Sequence, residues 1–228
     1  MKQTSLVIYE KLKHRIISGF YSPGAHLKEA PIAREMGSSR TPVRSAFDLL
    51  IEAGLAEQKR NRGVFVASWS NHDLKDMFRL RIQLEPYAAR LAAERSSSEV
   101  ISALKKSNAM MADAIARLQR NEDTIDTIQQ ANSEFHRQLL LGSGSPRLIE
   151  MLGTLIDMPI IMRSFLLYEF EDLSRSLQHH KDILFAIEVQ DGDLAQAVME
   201  VHLRISSQRF LTQRLDGKSA ANTPNIDC

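Results

Sequence analysis

Four side chains in the second half of the chain are of types that bind metal ions, at spacings that let them converge. Asn132 and His136 stand four residues apart, which puts them on one face of a helix. His180 and His202 each sit among apolar residues (Ile183, Leu184 and Ile187 for the first; Val198, Val201 and Ile205 for the second) that mark an inward stripe. Three imidazoles and an amide oxygen brought together from three helices suit a divalent transition metal such as zinc, nickel or manganese, with positions left for water or a ligand oxygen. Each histidine also has a plainer reading as a hydrogen-bonded core residue, and spacing alone does not decide between the two. His179 lies one residue off the stripe and is the weaker candidate.

A second group of residues, near the start, has the chemistry of nucleic-acid recognition. Arg40 and Arg44 share a helical face, with Ser39 and Thr41 beside them, at the end of a helix whose macrodipole disfavours cations. An anion is needed opposite. DNA supplies one, with arginine reaching guanine or phosphate and the short hydroxyls reaching backbone or base edges; ion pairs with Glu35 or Asp48 are the plainer alternative. Beyond Gly54 the pattern changes to period two, and Lys59-Arg60-Asn61-Arg62-Gly63 forms the tip of a hairpin that ends in Val64-Phe65-Val66. Asn61 and Gly63 tolerate the positive φ that such a turn requires. A basic wing of this kind suits a narrow minor groove or its flanking phosphates, and Arg60 and Arg62 are its contact candidates.

Charge is distributed to match. Residues 1–68 hold 11 Lys+Arg against 6 Asp+Glu, a net +5, and the remaining residues hold 18 against 22, a net −4. The head is suited to a polyanion and the body is not.

The elements that must position these groups are mostly helical. Leu6, Ile8 or Tyr9, Leu12, Ile16 and Ile17 give a first helix, capped at Thr4 and ended by Gly19. Ser22-Pro23-Gly24 has the order of a type II turn. Short helices from about Glu29 to Met36 and from Ser38 or Ser39 to Gly54, with Pro42 in the first turn of the latter, complete a helix-turn-helix. From Asn71 onward the spacing predicts helices over 72–95, with a kink near Pro86, then 98–120, 124–142, 146–168 interrupted at Pro159, 171–190 and 193–215. The expected fold class is mainly α: a winged helix-turn-helix in residues 1–69, a linker at 70–71, and an all-α antiparallel bundle in 72–215. A small, polar tail at 216–228 is expected to be disordered. The one cysteine, Cys228, excludes an internal disulfide, and the absence of a long apolar run or a signal-like N-terminus leads us to expect a cytoplasmic protein with no membrane partner.

The run Gly19, Pro23-Gly24, Leu27, Glu29, Ala33, Ser39-Arg40-Thr41-Pro42-Val43-Arg44, Leu49-Leu50, Gly54-Leu55, Gly63 and Val66 resembles the DNA-binding domain of the GntR family of bacterial regulators. The resemblance implies operator contacts from Arg40, Thr41, Arg44 and Gly63. Ala30, where some members carry a basic residue, and Ser45, where Glu is common, bear on operator sequence. Arg81 through Leu84-Glu85, Ala89-Leu91-Ala92-Ala93, Asn132, Phe135-His136, Leu139, Ser145-Pro146, His180 to Ala186-Ile187, Gly192-Asp193, Ala197 and His202 resemble the ligand-sensing domain named after the fatty-acid regulator FadR. That likeness implies a metal held by Asn132, His136, His180 and His202, with Asn in place of the commoner Asp. It also implies a small carboxylate effector near the ion. Arg81 matches a position at the effector pocket, with a helical ion pair to Glu85 as its alternative role, and Arg163 is a second pocket candidate.

The expected function is therefore a homodimeric, sequence-specific regulator, in the main a repressor. Double-stranded operator DNA and a small organic acid are its partners. Two other readings stand beside it: a metal-dependent helical enzyme with a DNA-binding head, with Glu134 the nearest acid but on a different face, and a bundle in which the metal is only structural.

Overall fold

In the computed structural model, residues 2–17, 19–68, 70–120, 122, 125–156 and 168–215 are described. Arg163, Pro159 and the tail at 216–228 lie outside them. The chain divides into two compact units at Ser70 and Asn71.

The first unit is built from α1 (Lys2–Ile17), β1 (His26–Leu27), α2 (Glu29–Glu35), α3 (Arg40–Glu52), β2 (Ala56–Lys59) and β3 (Gly63–Val66). Ile8, Leu12 and Ile16 form a buried stripe on α1 against Val43, Ala46, Phe47 and Leu50 of α3. The first helix begins at Lys2, so Thr4 lies inside it and is not its cap. Pro23 and Gly24 form the expected turn: Gly24 has φ +78° and the Ala25 N–H donates to the Ser22 carbonyl at 3.0 Å. That turn delivers β1, a strand the sequence did not announce, which lies antiparallel to β3 with His26 opposite Phe65. The sheet order is β1-β3-β2, and the hairpin pairs Ala56 with Val66 through to Lys59 with Gly63. Asn61 (φ +58°) and Gly63 (φ +97°) supply the positive φ at its tip.

The second unit consists of α4 (Asn71–Arg95), α5 (Ser98–Gln119), α6 (Ile125–Gly142), α7 (Pro146–Ile156), α8 (Phe170–Glu188) and α9 (Gly192–Leu215). The helix α4 is continuous through Pro86. It runs antiparallel to α9, since Arg90 meets Asp193 at one end and Phe78 meets Phe210 at the other. Ser97 caps α5 by accepting from the Val100 N–H, and Glu169 with Asp172 forms a reciprocal cap at the start of α8. Among the described residues no helix is long and apolar enough to cross a membrane.

Candidate functional site

The interior of the bundle is not uniformly apolar. One buried cluster gathers Ala88, Leu104, Phe135, Leu139, Ile183 and Met199 with their neighbours. A second gathers Met111, Ala114, Ile128, Ala131, Leu173 and Leu177. Polar residues fall at the boundary between the two. On α5, Asn108 lies between Leu104 and Met111; on α6, Asn132 lies between Ala131 and Phe135; on α8, His180 lies between Leu177 and Ile183. Arg81 and Glu85 from α4, His136 from α6 and His202 from α9 are buried as well. Each helix thus interrupts its apolar stripe where the stripe crosses this layer, and burying that many polar groups is unfavourable unless they find partners.

His136, His180 and His202 meet there, with one nitrogen of each within 4.8 Å of the others. The Nε2 atoms of His136 and His202 are 3.3 Å apart. Two imidazole nitrogens about 2.0–2.1 Å from one ion at a tetrahedral angle stand roughly 3.3 Å apart, so this edge fits a shared metal. Both ring nitrogens of His180, Nδ1 of His202 and Oδ1 of Asn132 have no hydrogen-bond partner although they are buried. Asn132 is one turn before His136 on the same face of α6. Phe135 stacks on His180 with ring centroids 4.0 Å apart and planes within 7° of parallel, which fixes that imidazole. Burial first, and then the charge of neighbouring histidines, hold His180 and His202 well below the usual imidazole range. They stay neutral, the form that binds a metal. These residues fit a divalent ion. His179 contacts the His202 ring at 5.7 Å but does not join the cluster.

His136 is oriented from outside the cluster. Its Nδ1 lies 2.7 Å from Oε2 of Glu85, so Nδ1–H donates to the carboxylate and Nε2 keeps the lone pair that a metal would take. The other oxygen of Glu85 accepts from Nε of Arg81, one helical turn earlier. Burial would push the Glu85 carboxyl up, but the Arg81 charge and the hydrogen bonds from His136 and Arg81 hold it at about 2. The ion pair expected as the alternative role of Arg81 is thus formed, and Glu85 has a second partner 51 residues away that the spacing could not reveal.

In the first unit Ser39, Arg40, Thr41 and Arg44 are exposed at the start of α3. The Ser39 side chain makes no capping bond. The hydrogen-bonded ion pair of Arg44 is with Glu29 on α2, whose two oxygens accept from its Nε and Nη2, each at 3.0 Å, and Asp48 adds only a more distant attraction. Glu35 is taken by Arg15. Arg60 and Arg62 are exposed on the hairpin tip, and Lys59 and Arg62 lie over the Phe65 ring at 4.9 and 5.9 Å.

Comparison with known proteins now bears on both units. Residues 4–66 match the family described as "Bacterial regulatory proteins, gntR family", and residues 76–205 match the FCD domain. The chain belongs to the GntR family, with an FCD domain. It is a DNA-binding transcription regulator and not an enzyme. The galactonate operon transcriptional repressor of Escherichia coli K12 is 28% identical, covering 87% of this chain and 93% of that protein. An uncharacterized HTH-type transcriptional regulator, YdhC, of Bacillus subtilis strain 168 is 27% identical over 93% of each chain. Of solved structures, E. coli McbR/YncC superposes with a TM-score of 0.72 at 21% identity, covering 92% of this chain and 98% of that one. A GntR regulator from Rhodococcus sp. RHA1 gives 0.70 at 22% identity, covering 93% and 99%.

Within the GntR head, Gly63 has a structural task. A Cβ there would stand 2.7 Å from Nε2 of His26, which stacks on Phe65, and the backbone has φ +97°. Gly63→Ala is expected to cost about 1–3 kcal/mol, read as a lower melting temperature, and His26→Ala in the same chain is expected to restore only part of it because the φ remains.

Within the FCD bundle more buried polar groups lack partners than the sequence pointed to. Both side-chain atoms of Asn108, Nε2 of Gln129 and Oγ of Ser176 are buried without partners. The signal was present: each is a polar residue on an apolar stripe.

Proposed function

We propose that this regulator is a repressor whose operator affinity is set by a small, hydroxylated carboxylate bound beside a divalent metal in the polar layer. The observation that carries the reading is one of charge. The donor set of Asn132, His136, His180 and His202 is entirely neutral, and the carboxylate in contact with it, Glu85, is already matched by Arg81. A divalent ion placed there keeps two positive charges in a buried site, which an anionic ligand compensates. The ion would supply a Lewis-acidic contact for a carboxylate oxygen, and the protein supplies its shape and its hydrogen bonds. In that layer Asn108 adds an unpartnered donor and acceptor, which a hydroxyl satisfies and an alkyl chain does not.

Dimerisation brings two heads to a pseudo-palindromic operator, and ligand binding biases their spacing. Relatives named as repressors support the sign of the response. The exposed start of α3, with Ser39, Arg40, Thr41 and Arg44, reads the major groove, and the wing with Arg60 and Arg62 follows the minor groove. Arg40→Ala is expected to weaken operator binding by about 1–3 kcal/mol and to relax preference at one base pair of each half-site. Operator titrations of this variant that match the unaltered protein remove Arg40 from base reading.

The test of the ligand reading is thermal stability with six-carbon acids that differ only in hydroxyls, gluconate against hexanoate, in metal-loaded and chelated protein. A ligand at a hundred times its dissociation constant adds about 2.7 kcal/mol. A shift with gluconate that disappears on chelation is the expected result; equal shifts in metal-free protein contradict it.

A further inference from the structure

The two arginines at the start of α3 share one acid. Glu29 opens α2 and takes Arg44 in a two-point ion pair, Nε to Oε1 and Nη2 to Oε2, each at 3.0 Å. The hydrogen bond from Arg44 is the main reason the Glu29 carboxyl lies below its usual range; burial works against it, and the charges of Arg44 and Arg40 add to it. The anion that two arginines at a helix N-terminus require is therefore present within the protein before any DNA arrives.

A guanidinium has two forked edges. The Glu29 carboxylate occupies the edge formed by Nε and Nη2, which leaves the edge formed by Nη1 and Nη2, whose parallel N–H bonds match O6 and N7 of guanine. The Arg44 side chain is 68% exposed, so this edge is open to a ligand. A free arginine must lose its rotamer freedom on binding, whereas one held by a carboxylate has lost part of it already.

We propose that Glu29 is a positioning residue of operator recognition, holding Arg44 so that the free edge of its guanidinium is presented to a guanine. The proposal rests on the reading that α3 enters the major groove. Glu29 acts on selectivity at the expense of general affinity, because a carboxylate close to phosphates weakens binding to DNA of any sequence.

The experiment uses the full chain, an operator duplex enriched by the unaltered protein from a random-sequence library, and a duplex of unrelated sequence at the same salt. Glu29→Ala is expected to lower the ratio of operator to unrelated affinity about tenfold, with affinity for the unrelated duplex unchanged or tighter. Exposed ion pairs contribute little to folding, and both affinities come from one sample, so an unfolded fraction cancels in the ratio. Glu29→Gln, which keeps one acceptor, is expected to recover part of the ratio. Combining Glu29→Ala with Arg44→Ala is expected to give the ratio of Arg44→Ala alone, since Glu29 acts through Arg44. A Glu29→Ala protein with an unchanged ratio, while Arg44→Ala loses it, overturns the positioning role and leaves the groove reading intact. An unchanged ratio in Arg44→Ala removes Arg44 from base reading, and the proposal with it.

Discussion

Glu85→Ala is expected to destabilise the bundle by about 3–5 kcal/mol, a melting temperature lower by roughly 10 °C at about 2–4 °C per kcal/mol for a domain of this size. The reason is what it leaves behind. Arg81 is 4% exposed and Glu85 1% exposed, so the truncation strands a buried guanidinium and also removes the acceptor for Nδ1 of His136. Removing both charges, with Arg81→Met and Glu85→Leu together, is expected to recover much of the loss, because an apolar pair of similar volume can match a buried ion pair. Recovery stops short of complete since His136 Nδ1 stays unpaired, at about 1–3 kcal/mol. A double variant as unstable as Glu85→Ala alone contradicts this partition.

The same pair gives a pH signature. The Glu85 carboxyl is held at about 2, below its unfolded value. Its contribution is therefore fully present above the unfolded pKa and is lost as pH falls toward 2. Chemical denaturation between pH 5 and 2 is expected to show a shallower loss in Glu85→Gln than in the unaltered protein.

The second large effect is expected from the ligand set. His180→Ala or His202→Ala is expected to weaken metal binding on the order of 100- to 1,000-fold, about one ligand's share of the 10–16 kcal/mol seen for four-ligand structural sites. Metal content after dialysis is the readout, and it is expected to fall from near one ion per chain to a small fraction. His179→Ala is the control, because that ring lies outside the cluster and its loss leaves the donors in place. Retention of metal in both variants contradicts the assignment. In the metal-free protein the loss of two buried, unpartnered nitrogens at His180 offsets part of the cost of the cavity that the ring leaves. Stability without metal that falls by less than such a cavity alone would cost, with metal affinity lost, identifies a binding role and not a packing one.

The helical spacing was the most legible part of the chain. Readings of 98–120, 124–142 and 193–215 correspond to helices at Ser98–Gln119, Ile125–Gly142 and Gly192–Leu215. Helices of this length carry many repeats of one apolar stripe, and local chemistry sets their ends. The two-residue strand β1 was not legible, because His26 and Leu27 become a strand only by pairing with Val64 and Phe65. The partner of Arg44 was not legible for a related reason. Glu35 and Asp48 are closer in sequence, whereas Glu29 is 15 residues away and reaches Arg44 through the turn between α2 and α3. The three histidines were legible as inward residues, and their convergence was not, since it depends on how three helices pack. Asn108, Gln129 and Ser176 were within reach, because each interrupts an apolar stripe in the way the histidines do.

The most direct measurement is operator affinity, by fluorescence anisotropy on a duplex that the protein itself selects, titrated with gluconate and with hexanoate before and after removal of metal. An operator dissociation constant that rises at least tenfold with gluconate, only in metal-loaded protein, is the expected result. Operator affinity that is the same with and without metal and with either acid would contradict a metal-dependent hydroxy-acid switch.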